Sequence, residues 1–341
     1  MATKILGAGA MGSLVAHELA RLGKDPVLLF KSKQRLGSYL SAGSKITLVR
    51  PHNESVETTA QTIKGELAPL PSVNGPIENL VISTKSHSTV TALGPYIPFL
   101  NETSNVLILQ NGMGMAEKLK STFWAYSGNM PSIYEAISTH GAYKSTPNQV
   151  NHVGMGKLTI APKFTKNSET PEMIQDLLKS SGLNASYVSS NAMLITQMEK
   201  LVVNACINPL TALLDCFNGD LLYGAQVIPM MKKVTKEAVQ CFQAEFGAQI
   251  EDIDGARMRL DPDRLINTVL EVCKATSQNS SSMREDVRHM NKTEIDGING
   301  YIVGLGKKHG IPTSTNKLLV SMVKNKVSIE RGIEKSALDD I

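Results

Sequence analysis

Six residues near the start of the chain, "GAGAMG", restrict its fold more than any other stretch. Gly7, Gly9 and Gly12 keep the spacing G-x-G-x-x-G, "KIL" precedes them as a short strand, and "MGSLVAHELARLG" follows with helical periodicity that ends at Gly23. "PVLLF" then reads as a second strand, so the opening is a strand-helix-strand unit. In that setting the glycines allow a tight turn, close approach of backbone to a pyrophosphate and close helix-sheet packing, while the helix N-terminus presents N–H donors. Gly7, Ala8, Gly9, Ala10, Met11 and Gly12 are therefore expected to form a dinucleotide-binding loop. The bland alternative is a glycine-rich turn without a ligand.

Further strands are expected at "NLVIST" and "NVLILQ", with a helix at "MAEKLKSTF". This alternation predicts a doubly wound parallel sheet. "SIYEAISTHGAYKST" and "QVNHVGMGKLTIA" read as strands joined by a hairpin-like turn that extend the same sheet. From about Asn191 the strand signal fades and helical periodicity dominates. The fold class is thus α/β, with a doubly wound sheet in a first domain, 1–190, and an all-α second domain, 191–341.

A length of 341 residues suits two domains, and 42% hydrophobic with 19% charged residues is ordinary for a globular protein. The balance of 35 Lys+Arg against 31 Asp+Glu is too mild to make nucleic acid or an anionic membrane the main partner. Cys206, Cys216, Cys241 and Cys273 have neither C-x-x-C nor metal-ligand spacing, so no metal is expected and the thiols read as reduced core residues. No apolar run approaches the roughly 20 residues that span a bilayer. With no targeting segment evident, the expected location is cytoplasmic.

The end of the second strand decides which dinucleotide is bound. An NAD enzyme usually carries Asp or Glu there for the ribose 2′-OH. This chain reads "LLFKSKQR", where Lys31, with Lys33 and Arg35 behind it, suits a 2′-phosphate and hence NADP(H), unless these are only solvated surface cations. Ligands of open parallel sheets sit outside the carboxyl ends of the strands. Lys85 after "VIST" and Asn111 after "VLILQ" occupy such positions and are candidate cofactor contacts, although Lys85 could equally be a surface residue and Asn111-Gly112 only a turn.

The second domain holds a greasy helix with one polar stripe. In "EKLVVNACINPLTALL", Lys200, Asn204 and Asn208 recur every fourth residue among apolar neighbours. Burial disfavours a charged lysine and brings its pKa toward neutrality, where it is a competent general acid. Pro209 is expected to kink this helix and to leave the Ala205 carbonyl without its usual donor. The alternative is that Lys200 caps or snorkels and the asparagines satisfy core carbonyls. Downstream, "SSSMREDVRHMNKTEIDGINGYIVGLGKKHGIP" suggests a helix capped by Thr293 with Asp296 as its capping-box partner, and Glu294 in the first turn. Gly297, Gly300 and Gly304 would leave one side of that helix bare for close approach, and Ser282 would cap the preceding helix or bind a carboxylate.

Together "GAGAMG", "LQNGMG", "KLVVNACINPLTALLDCFNG" and the long serine-to-proline stretch closely resemble the ketopantoate reductase family, in the expected order over almost the whole chain. The resemblance implies a Rossmann domain followed by a helical domain, and NADPH-dependent reduction of 2-dehydropantoate to (R)-pantoate. It further implies Lys200 as the proton donor and Glu294 as the acid in the lysine and substrate network. Asn204, Asn208, Asn218 and Ser282 would be substrate contacts, and Asn111 would lie between cofactor and active site. Lys31 stands where the family often has arginine, and a single ammonium cannot make arginine's two-pronged contact to phosphate. A related D-2-hydroxyacid dehydrogenase acting on another 2-keto acid is the nearest rival, and a non-catalytic NADP(H)-binding sensor is a further one. The oligomeric state is open, with a homodimer admitted.

Overall fold

The computed structural model describes residues 2–52, 55–68, 75–165 and 169–339. The chain divides into two compact units: Met1–Gln110 with Met115–Met193, and Asn111–Gly114 with Leu194–Ile341. The first contains, in chain order, β1 (Thr3–Leu6), α1 (Ala10–Arg21), β2 (Val27–Phe30), α2 (Lys33–Ser41), β3 (Lys45–His52), β4 (Ser55–Thr62), β5 (Lys64–Leu67) and β6 (Asn79–Ile82). It continues through α3 (Thr89–Leu93), β7 (Asn105–Leu109), α4 (Met115–Phe123), β8 (Ser132–Ser138), β9 (Gly141–Thr146), β10 (Gln149–Gly154), β11 (Leu158–Phe164), α5 (Glu172–Lys179) and β12 (Ala185–Tyr187).

The main sheet has the order β12-β11-β8-β7-β6-β1-β2-β5 and is parallel except where β11 runs against β8. Its central strands are apolar on both faces, as a sheet covered by helices on each side requires. Ile5, Leu28, Val81 and Leu107 enter one core, while their chain neighbours Leu6, Leu29, Leu80 and Val106 enter the other. The period-two alternation of a strand makes that division.

β8 and β11 do extend the main sheet, but β9 and β10 leave it and join a second sheet of order β4-β3-β10-β9. The polar β9, "GAYKST", is half-buried to exposed along its length and could not lie between two helical layers. β3 supplies this sheet with the apolar side chains Ile46 and Leu48, both essentially buried.

A buried polar thread ties α1 to the second sheet. Arg50 donates from Nη2 to Glu18 Oε1 at 2.9 Å and from Nε to His152 Nδ1 at 3.0 Å. His140 Nδ1 accepts from the Gly156 amide at 3.0 Å, so His152 Nε2, 2.9 Å away, must be the donor between the two rings. His140 Nε2 donates to the Leu183 carbonyl at 2.8 Å. Both imidazoles are thereby neutral. Burial, with Arg50 and His140 adding to it, pulls His152 down to about 4, and burial likewise lowers His140. Burial alone would raise the Glu18 carboxyl, but His17, Arg50 and Ser180 together hold it at about 2.

The second unit is helical: α6 (Ser190–Leu214), whose first turn lies in the other unit, α7 (Val227–Glu251), α8 (Ala256–Arg259), α9 (Pro262–Ala275), α10 (Ser282–Arg288), α11 (Asn299–His309) and α12 (Ser314–Asp339). Leu201, Val202, Ala205, Cys206 and Ile207 of α6 are all buried in its core. Helix α6 runs through Pro209 unbroken. The carbonyl that Pro209 deprives is not abandoned: Asn299, the first residue of α11, donates from Nδ2 to Ala205 O at 3.0 Å. The same amide donates to Asn316 Oδ1 at 3.0 Å, and Asn316 donates to Glu237 Oε2 at 2.8 Å.

The predicted capping box at Thr293 does not form. A 3-10 turn covers Ile295–Gly297, and α11 starts only at Asn299, after Ile298 at φ −107°, ψ −95° breaks the helical path. Asp296 instead pairs with Lys324 of α12 at 2.6 Å.

Candidate active site

In the first unit the glycine loop joins β1 to α1. Gly9 is the N-cap of α1, no side chain caps the helix, and its first turn holds no acidic residue. The loop is folded on itself: a Cβ at Gly12 would lie 2.0 Å from the Gly7 carbonyl oxygen, which also accepts from Ser83 Oγ at 2.8 Å. A Cβ at Gly9 would meet nothing within 4 Å, so the backbone there faces open space. Uncapped N–H groups, a positive helix end and bare backbone fit a pyrophosphate.

Around the loop, Lys31 is exposed directly after β2, with Lys33 and Arg35 exposed behind it on α2, which Ser32 caps by accepting from Arg35 N at 3.3 Å. Lys85 is half-buried after β6, and its carbonyl accepts from Ser88 Oγ at 2.9 Å. The sequence reading missed Lys144 on β9, whose ammonium lies 2.8 Å from the Ala8 carbonyl of the loop.

Asn111 follows β7, yet the segment Asn111–Gly114 groups with the helical unit. Gly112 explains how it fits: at φ +89°, its Cβ position lies 2.3 Å from the Gly297 carbonyl oxygen, a contact no other residue could make. The loop's close approach is to the Gly297 carbonyl, whereas the Cβ position of Gly300 lies 3.3 Å from Ile295 O and that of Gly304 meets nothing within 4 Å.

That seat places Asn111 between the two charged candidates. Its Oδ1 accepts from Lys200 Nζ at 3.1 Å and its Nδ2 donates to Glu294 Oε2 at 3.3 Å. Burial lowers the Lys200 ammonium to about 8, against the opposing pull of the Glu294 carboxylate. A lysine that is charged near neutrality but loses its proton readily can both stabilise an oxyanion and protonate it. Beside it, Glu199 is held by Arg259 and Arg264, the latter at 2.6 Å, which ties α6 to α8 and α9.

The remaining candidates are spread along the same unit. Asn204 is half-buried one turn after Lys200, and Asn208 is buried a turn further on. Asn218 is buried and donates to Thr276 Oγ1 at 2.9 Å. Ser282 is exposed as the first residue of α10, and its neighbour Ser281 performs the cap, accepting from Arg284 N at 3.1 Å while taking a 2.7 Å bond from Thr211. Among the described residues no group of acidic, histidine or cysteine side chains could hold a metal ion, and no helix is long and apolar enough to cross a membrane.

The parallel sheet with its glycine loop and the desolvated lysine with its bridging amide define the class, that of dinucleotide-linked oxidoreductases. The chain belongs to the ketopantoate reductase family: the family model of ketopantoate reductase PanE/ApbA matches residues 4–163, and that of its C-terminal part matches residues 191–327. A probable 2-dehydropantoate 2-reductase of Schizosaccharomyces pombe is 37% identical over 96% of this chain and 97% of its own length. Among solved structures, a probable 2-dehydropantoate 2-reductase of Bacillus subtilis shares 27% identity over 96% of this chain and all of its own, with a TM-score of 0.71. A D-mandelate dehydrogenase solved with NADH and anilino(oxo)acetate has the same fold, at 23% identity over 96% of this chain and 99% of its own, with a TM-score of 0.79.

Proposed function

We propose that the protein reduces 2-dehydropantoate to (R)-pantoate with NADPH, a step toward pantothenate and coenzyme A. The observation that carries the chemistry is the Lys200–Asn111–Glu294 bridge. Residues 1–190 serve as the dinucleotide domain, with the loop Gly7–Gly12, Lys31 and Lys85 as its contacts. Residues 191–341 serve as the substrate domain. When bound, the nicotinamide supplies hydride to the keto carbon.

Lys200 acts on the other end of that bond. Glu294 keeps its ammonium charged against the pull of burial, and Asn111 takes one of its three N–H groups, which fixes the direction of the others. The charge stabilises the developing alkoxide, and a proton then passes from Nζ to that oxygen. Asn204, Asn208, Asn218 and Ser282 hold the keto acid. Lys31 supplies one point charge for a 2′-phosphate, with Arg35 and Lys33 near it in sequence. The four free cysteines accord with a cytosolic location, and the protein pairs as a homodimer, which sedimentation velocity tests.

A spectrophotometric assay with ketopantoate, benzoylformate and 2-ketoisovalerate, each with NADPH and with NADH, tests this reading. The highest kcat/KM is expected for ketopantoate with NADPH. A clear preference for benzoylformate or 2-ketoisovalerate would move the protein to the D-2-hydroxyacid dehydrogenases. No oxidation of NADPH across the panel, despite tight binding, would make it a sensor.

A further inference from the structure

Lys144 is placed where a structural lysine gains little. It belongs to β9, an edge strand of the second sheet, yet its ammonium is half-buried and rests on two carbonyls, Ala8 O at 2.8 Å and Pro147 O at 2.7 Å. Burial lowers it to about 8, and among the described residues the charge acting on it is another cation, Arg35. A desolvated ammonium beside a like charge is unfavourable, so the two carbonyl contacts are held at a cost.

Its contact with Ala8 has a geometric effect on the loop. Ala8 C=O and Gly9 N–H belong to one planar trans peptide and point in opposite directions. With the oxygen pinned by Lys144, the Gly9 N–H is turned to the other side, at the end of α1 that begins without a side-chain cap. We propose that Lys144 is the positioning residue of the nucleotide loop: by holding the Ala8 carbonyl it aims the Gly9 amide at the pyrophosphate of the dinucleotide. This rests on the reading of the loop as a dinucleotide site. Because the pyrophosphate is common to both dinucleotides, Lys144 acts on NADPH and NADH alike, unlike a residue at the 2′-phosphate.

β9 packs against α1, which carries His17, Glu18 and Arg21, and against β10, which carries His152, while Arg35 comes from α2. Of these only Arg35 bears on its titration. Glu18 and His152 belong to the buried thread, and their changes lie well below pH 7. Lys200 also titrates near pH 8, so loss of affinity between pH 7 and 9 reports Lys144 where Lys144→Arg removes it.

The test uses the full chain with Lys144→Met and Lys144→Arg. Dissociation constants for NADPH and NADH come from nicotinamide fluorescence at pH 7 and pH 9, and amide hydrogen exchange at residues 8–12 is measured without cofactor. Lys144→Met should weaken both dinucleotides equally, about 10- to 100-fold, the range of one charge-assisted contact, and speed exchange at Gly9. Lys144→Arg should stay within about 3-fold of the wild-type pH 7 value at both pH values, while wild type loses affinity at pH 9. Unchanged affinity in Lys144→Met, with wild type binding normally, overturns this inference alone. Loss confined to NADPH also overturns it and moves Lys144 to the 2′-phosphate. A wild type that binds neither dinucleotide overturns both this inference and the reading beneath it.

Discussion

At the scale of single residues, Lys200 is pulled two ways by its surroundings, and the consequences for activity and stability have opposite signs. The folded chain holds its proton to about pH 8, whereas an unfolded lysine holds it to about 10.5. A general acid must be protonated, so kcat should fall as pH rises through about 8. Over the interval between those values the unfolded chain binds the extra proton, so stability should rise with pH. Lys200→Met is expected to lose about 10²- to 10⁴-fold in turnover while its thermal midpoint stays level or rises. A variant that unfolds earlier, or that turns over normally, would contradict the assignment. The stripe of Lys200, Asn204 and Asn208 was legible because helix periodicity alone puts these residues on one face. The bridging position of Asn111 was not legible, since a contact across roughly 90 residues leaves no local pattern. Lys144 was hidden similarly: a lone lysine in a polar strand resembles any surface cation.

Among the elements, α6 and α11 meet through an amide. Proline inside a helix strands one carbonyl, and Asn299 restores its donor from the start of another helix. Asn299→Ala would leave Ala205 O and Asn316 Oδ1 short of one donor each, and should cost about 1–3 kcal/mol, read from urea unfolding with the slope unchanged. A loss below a few tenths would mean that Ala205 finds another partner. The sequence exposed the orphaned carbonyl but not its partner. Helix boundaries were the weaker part of that reading: Thr293-x-x-Asp296 has capping-box spacing, yet Gly297 and Ile298 redirect the chain and the helix begins at Asn299. The parallel strands were legible as apolar runs. The second sheet was not, because polar strands such as β4 and β9 carry little hydrophobic signal and their pairing across some 100 residues is decided by β3 and β10.

For the whole molecule, each unit has its own apolar core, one of them entirely helical. The buried titrating thread lies wholly in the other. An unfolded imidazole protonates near pH 6.5, whereas His152 stays neutral down to about 4, so stability is lost as pH falls through that interval. Glu18, held at about 2 against its usual 4.5, contributes stability that is lost as pH falls further. Both effects have the same sign and act on one unit. Calorimetry from pH 7 to pH 5 should therefore show the sheet-containing unit losing about 1–3 kcal/mol while the helical unit moves less, and NADPH at about 100 times its dissociation constant should restore about 2.7 kcal/mol to the former. Equal acid shifts in both transitions would argue against the thread as the cause.

The four residues Asn111–Gly114 make the helical unit discontinuous in sequence. During synthesis the amide that bridges Lys200 and Glu294 leaves the ribosome before any of α6 has been made, and it must wait roughly 5–20 s for Lys200 and roughly 10–40 s for Glu294 at ordinary elongation rates. The unit also cannot be transplanted as one piece. A chimera joined at residue 193 would draw Asn111 from one parent and Lys200 and Glu294 from the other, so such crossovers should keep activity only where the Asn-Gly loop travels with the helices it fits.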